Sequence, residues 1–458
     1  MKSSKLRFVL PVALAGVFPA TGVVSQTLEE TLVKAYQENP TLRAERARLR
    51  ATDEGVPQAL SNWRPTVQVS GSYGWERSDS TTNGPANKEA EVTEPVTGTL
   101  TVTQNLYRGG RTFAATEGAE NNVKADRARL SSAEQSVLLS AATAYADVVR
   151  DQAVLDLNRN NERVLQRQLE ATQDRFGVGE VTRTDVSQAE SRLSRARADR
   201  ISAEGSLTDS RAAYENAVGV LPNILKPAQP LTDLPTSLRE SVERAKSANF
   251  GVVQTRFIEK AAQNSVREIT GELLPTLTLN GSAQTSDEPS TDRSESQTLS
   301  VTAQVTMPLY ASGSVTSRVR AAKQVVAQRR DEFNQAVRDA IEDATEAWQT
   351  LETGRAQIRA FSAAVKAAEI ALEGVREEAN VGSRTVLDVL DAEQELLDAR
   401  VGLVRAMRDE LVATYQLRQA VGELTAARLG LPVDLYNPET HYRRVRGKWW
   451  GLTADDGK

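Results

Sequence analysis

The sequence predicts a mainly α-helical fold with a smaller β part, built as two tandem copies of one plan. Each copy holds two strands followed by a long coiled-coil hairpin. Three observations predict it. Arg111 to Phe176 and Val315 to Glu378 contain no proline and are long enough for helices approaching roughly 100 Å. Four short runs alternate apolar and polar side chains with period two, which marks two-faced strands. And Val178-Gly179 with Asp185 recurs as Val381-Gly382 with Asp388 at one constant offset of 203 (382 − 179 and 388 − 185), an internal duplication.

Composition fits this plan. Hydrophobic residues make up 40% of the 458 and aromatics only 5%, a balance suited to long packed helices rather than an aromatic core. With no cysteine, the chain has no disulfide, thiolate metal site or lipid-modified N-terminal Cys. A single histidine, His441, leaves no His-based catalytic or metal centre, and a net charge of −5 argues against a nucleic-acid partner. Lys2, Lys5 and Arg7 precede the apolar run Phe8 to Phe18, and small residues follow to Ser25. This predicts a secretory signal peptide over residues 1–25, whose removal takes three positive charges and leaves −8 on the mature chain. No later run approaches the roughly 18–20 apolar residues of a membrane-spanning helix, so any passage through a membrane after export uses strands.

The first repeat, residues 26–230, opens with two helices from Thr27 to about Ser61, broken at Asn39-Pro40. The first barrel strand covers about 65–76, with Val67, Val69, Tyr73 and Trp75 against Thr66, Gln68, Ser70 and Ser72. A polar loop, Ser78 to Glu94, leads to the second strand at about 96–107, where Leu100 and Val102 oppose Thr99, Thr101 and Thr103. Tyr73, Trp75 and Tyr107 suit the aromatic girdle of a membrane interface, as does Tyr310 in the second repeat. The hairpin 111–219 follows. Val123, Leu130, Val137 and Ala144 recur every seven residues, as do Ala141, Val148 and Leu155, and two such seams call for neighbours on both sides.

The second repeat, residues 231–431, has strands at about 275–285 and 298–310 and a hairpin over 314–428. Val337, Ala344, Leu351, Ile358, Val365 and Leu372 hold strict heptad spacing, and a return helix is expected from Thr385 to about Arg428. Residues 432–458 show no periodicity and read as an irregular periplasmic tail.

Four strands with one apolar face cannot close a membrane barrel, because open edges are not tolerated in lipid. Three copies supply twelve strands with a lumen and twelve helices for an α-barrel beneath it, so the pattern predicts a homotrimer. The location that fits is the outer membrane of a Gram-negative cell, with a large periplasmic extension.

The signal peptide, duplicated strand units, long hairpins and Val-Gly-x-x-x-x-x-Asp-Val turns resemble the TolC family of outer-membrane channel-tunnels. The run Val381-Gly382-Ser383-Arg384-Thr385-Val386-Leu387-Asp388-Val389-Leu390-Asp391-Ala392 is the most specific part of the likeness. The resemblance implies a passive exit duct for type I protein secretion or multidrug efflux, carrying exported protein or small-molecule cargo. It implies work with a periplasmic adaptor and an inner-membrane pump, ABC or proton-driven. It implies a cation-binding constriction at Asp388 and Asp391, a gate link from Arg384 to Thr184 and Asp185, and adaptor docking at Val178, Gly179, Val381 and Gly382. The chain departs from the family at Ala379, where members carry a tyrosine in the lock. Read without the resemblance, the two aspartates stabilise the positive end of a helix. No nucleophile-base pair, cofactor motif or metal cluster is present in the sequence, so no catalysis is expected. The competing class is a pore-less periplasmic scaffold or adaptor, which has no use for lipid-facing strands.

Overall fold

The computed structural model describes residues 25–79, 90–289 and 294–454, so all but the last residue of the expected signal peptide lies outside the described residues. Thr27 opens α1 (Leu28–Glu38) with a reciprocal cap. Its hydroxyl accepts from the Glu30 N–H, and the Glu30 carboxylate takes the Thr27 N–H, both at 3.2 Å. Asn39 ends α1 and caps α2 (Pro40–Asp53), with proline at the first position, where a missing N–H leaves nothing unpaired. The chain then breaks where the sequence reading had one helix. Gly55 and Pro57 interrupt the ladder, giving α3 (Gly55–Leu60) and a 3₁₀ turn, Ser61–Trp63.

The strands follow: β1 (Thr66–Tyr73), β2 (Glu76–Asp79), β3 (Ala90–Thr93) and β4 (Val96–Arg108). The stretch read as a loop therefore has paired ends, with Glu76 opposite Thr93 in a small antiparallel extension. Then come α4 (Arg111–Gly177), unbroken over 67 residues, and α5 (Arg183–Val218), closed by Gly219 at φ 91°. The second repeat supplies α6 (Leu238–Ala248), α7 (Phe250–Thr270), β5 (Thr276–Asp287) and β6 (Glu295–Thr306). It ends with α8 (Ser314–Asn380) and α9 (Val386–Ala420).

Three boundaries differ from the sequence reading. β6 ends at Thr306, two residues before Pro308, rather than near residue 310, and begins three residues earlier than expected. The return helix stops at Ala420 rather than near Arg428, because Gly422 turns the chain at φ 78° hard against α6. A Cβ there would lie 2.2 Å from the Ala248 carbonyl oxygen. The segment expected to be irregular contains α10 (Pro438–Arg446), capped by Asn437 and packed on α2. His441 holds it there, its Nδ1 lying 3.0 Å from the fully buried carboxylate of Asp53. Burial pushes the Asp53 carboxyl up, and the histidine partly offsets that.

One antiparallel sheet has the order β1-β4-β5-β6. Its register sorts the side chains by face. Val69, Leu100, Ala283 and Leu299 form one cross-strand row, and Val67, Val102, Gly281 and Val301 the next. The opposite rows hold Ser, Thr, Gln and Asn; Thr97 and Ser286 share a hydroxyl hydrogen bond at 2.9 Å, and Ser282 and Ser300 one at 2.8 Å. A bulge between Asn105 and Tyr107 shifts the register, setting Tyr107 opposite Leu277 on the apolar side. Tyr73 and Trp75 stand at one end of the sheet, Tyr107 and Tyr310 at the helix end. Within the chain β1 and β6 are open edges.

The helices lie side by side. Near the hairpin ends α4 is flanked by α5 and α9, with α8 beyond α9; nearer the sheet α2, α4, α7 and α8 are neighbours. Val123, Leu130, Val137 and Ala144 are all buried, as is Leu155 on the second seam. On marginal α8, Val337, Ile358 and Val365 are only half-buried. The repeats meet beneath the sheet at two glycines. The Cβ of a residue at Gly109 would lie 2.2 Å from the Gly271 carbonyl oxygen, so the backbones touch.

Candidate functional site at the hairpin ends

Both hairpin ends are built the same way. α4 ends through Gly179 at φ 81°, whose N–H donates to the Phe176 carbonyl at 3.0 Å while the Glu180 N–H reaches Arg175 at 3.0 Å. α8 ends through Gly382 at φ 79°, with matching bonds from Gly382 to Ala379 (3.1 Å) and from Ser383 to Glu378 (2.9 Å). A positive φ and this pair of bonds close a helix with its last carbonyls satisfied. Val178 and Val381 are the outermost side chains, 73% and 81% exposed, and touch little of their own chain.

The return helices start on twin caps. Asp185 accepts the Thr182 N–H and hydroxyl at 2.8 Å each, and Asp388 accepts the same groups of Thr385 at 2.9 and 2.8 Å. Those bonds hold the Asp388 carboxyl below its ordinary range, so it is ionised at neutral pH. Asp391, one turn on, ion-pairs with Arg192 of α5, tying the second return helix to the first. Just behind, Val386 and Leu390 of α9 pack into a cluster with Leu165, Leu169, Ala189 and Leu193.

Arg384 does not meet Thr184 or Asp185 within the chain. Its Nε donates to Glu378 of its own hairpin at 2.8 Å, and that bond raises the guanidinium pKa. The turn explains this: it folds residue 384 back over the last turn of α8, while Asp185 is occupied by its cap. Ala379 lines a cleft of about 650 Å³ between the two ends, together with Arg175, Glu180, Arg376 and Arg384. In the sequence Glu378 reads, with Glu377, as a solvated acid on a helical surface, and Arg192 carries no signal. Both are ordinary charged residues on helical faces, and only the packing of α9 against the first hairpin singles them out. Among the described residues no group of acids and histidine is placed to hold a metal ion.

The outer membrane efflux protein family model matches residues 31–220 and 242–423, the two repeats. The chain belongs to that family. It is similar to the outer membrane efflux protein BepC of Brucella suis, 37% identical over all of this chain and 99% of that protein. It is 27% identical to the outer membrane protein TolC of Vibrio cholerae, over 89% of this chain and 93% of that one. The solved structure of VceC from Vibrio cholerae shares the fold, with a TM-score of 0.75 at 20% identity over 86% of this chain and 96% of that one. Family membership makes the protein an outer-membrane exit channel of the efflux and secretion type, and not an enzyme.

Proposed function

We propose that three copies assemble around one axis into a continuous duct, a twelve-stranded barrel in the outer membrane above a twelve-helix periplasmic tunnel. The observation that carries this reading is that sheet and helix layer each stop at two open margins. β1 and β6 bound the sheet, α5 and α8 bound the helices near the hairpin ends, and the outward apolar row leaves Val69 at 77% and Leu299 at 82% exposed. Edges of this kind are stable in lipid only when a neighbour pairs with them. From Val96, opposite Tyr73, β4 runs twelve residues, or eleven steps, to Tyr107. That is about 36 Å of strand, or about 28 Å of depth at a tilt of about 40°, close to an outer-membrane apolar band.

The hairpin ends are the gate. Asp388, held ionised by its cap, and Asp391 face the constriction as six carboxylates in the trimer. The ion pair from Arg192 to Asp391 and the packing of Leu390 hold the second hairpin inward against the first. Arg384 is placed to exchange Glu378 for Thr184 or Asp185 of a neighbouring copy. Val178, Gly179, Val381 and Gly382 are the docking tips for a periplasmic adaptor, and the inner-membrane pump behind it supplies the energy. Efflux of small molecules and secretion of proteins use the same duct, the choice lying with the pump.

Single-channel conductance in a planar bilayer tests this reading. A small cation-selective conductance, blocked by a trivalent cation added at the hairpin side in wild type and unblocked in Asp388→Ala/Asp391→Ala, is the expected result. Equal block in both proteins moves the constriction elsewhere. A folded trimer that stays silent in wild type and in Arg192→Ala overturns the duct.

A further inference from the structure

The segment after α10 carries two adjacent tryptophans, Trp449 and Trp450. Arg64, which ends the 3₁₀ turn two residues before β1, fastens them: its Nη1 donates to the Lys448 carbonyl at 2.7 Å, and its guanidinium lies 4.9 Å from the Trp449 ring centroid. The carbonyls of its neighbours Asn62 and Trp63 accept from Asn105 and Gln104 of β4. The tail therefore meets the sheet at the level of Tyr107, where the strands give way to helices. Trp63 sets its edge on Phe113 at 5.0 Å at the same level. Phe113, Tyr310 and Trp449 are well exposed there, and Trp450 is 91% exposed.

We propose that Trp449 and Trp450 are an interfacial anchor, lying among the phospholipid headgroups of the leaflet that faces the periplasm. The proposal rests on the membrane reading of the sheet and extends it to a segment outside both repeats. An apolar body with one polar edge is what the membrane–water boundary selects, and the two tryptophans, fastened at Arg64, turn most of their ring surface outward. Charge complements it: from Tyr442 to Lys448 there are four cations (Arg443, Arg444, Arg446, Lys448) and no acid. Arg443 pairs with Glu439 within α10, and Arg446 bonds Glu120 of α4, so α10 keeps its own footing on the helices while the segment beyond it reaches the lipid. Because β1 follows the Arg64 turn directly, a tail pinned in the headgroups sets the depth at which that strand enters.

Bromolipid quenching tests the anchor. The trimer is reconstituted in phosphatidylcholine–phosphatidylglycerol vesicles, plain or brominated on the acyl chain near the headgroup, as wild type, Trp75→Phe and Trp449→Phe/Trp450→Phe. The fluorescence lost in each variant gives the share of the replaced tryptophans among the five. The proposal expects the tail's share to fall roughly twofold in brominated vesicles, in step with that of Trp75. A tail share unquenched by bromolipid but quenched by iodide puts the pair in water and overturns the anchor. A share untouched by either puts it beneath a neighbouring copy, which also overturns it. If the Trp75 share is unquenched as well, the barrel reading fails with it, so the two failures are told apart.

Discussion

Thr182 and Thr385 hold equivalent places, and each closes its turn with an aspartate three residues on, yet the two hairpin ends live in different surroundings. In the first, the helix beyond the cap turns exposed Ser187 outward. In the second, the equivalent residue is Leu390, 2% exposed and packed onto the first hairpin, and Gln188 is replaced by Asp391, paired with Arg192. Duplication preserved the turn and changed the faces beside it. One end became the part that is held, and the other the part that holds.

Leu390→Ala removes a buried side chain and costs about 2–5 kcal/mol, freeing the second hairpin end, whereas Ser187→Ala changes little. Thermal unfolding and proteolysis at the tips should separate the two variants, and equal effects would dissolve the asymmetry. Thr182→Ala and Thr385→Ala each lose an N-cap, about 1 kcal/mol, and should raise hydrogen exchange in the first turns of α5 and α9 equally, since the caps are twins. Arg192→Ala breaks a half-exposed ion pair worth less than about 1 kcal/mol. Its readout is conductance rather than stability: the open fraction should rise, and an unchanged fraction would remove this pair from the gate.

The smallest effect is acidic. The folded carboxyl of Asp388 titrates below its ordinary 3.8, so its cap contributes fully above that value and is lost as pH falls through the lower one. Amide protection in the first turn of α9 should therefore fade only in strong acid. The same fading in Asp388→Asn as in wild type would show that the turn does not need the charge.

The long helices were legible because heptads of Val, Leu and Ala persist over many turns and leave no other period to choose. The four strands were legible because one face must be apolar and the other wet. β2 was hidden by charged residues at alternate positions of both parities and β3 by its length of four residues, and the bulge at Asn105 by the absence of any local cost in the sequence. α10 was missed because nine residues hold too few apolar positions to show a period, although Asn437-Pro438 is a start signal. Gly422 marked the end of α9 openly. At the hairpin ends, the turns followed from Gly179 and Gly382, while the Thr182 and Thr385 caps were not read from the sequence. Nor did the partners of Arg384 and Asp391 follow, since a surface charge takes whichever opposite charge the packing brings near.

The touching backbones of Gly109 and Gly271 have a mechanical consequence. They join the repeats at the foot of the sheet, with no side chain between them to yield, while the hairpin ends lie roughly 100 Å away along α4 and α8. Such a joint is a fulcrum under long arms. In the proposed trimer, a rotation of about three degrees there swings the tips by about 5 Å, enough to widen the proposed ring of carboxylates by more than the diameter of a water molecule. In the proposed duct, opening the far mouth thus asks almost nothing of the barrel.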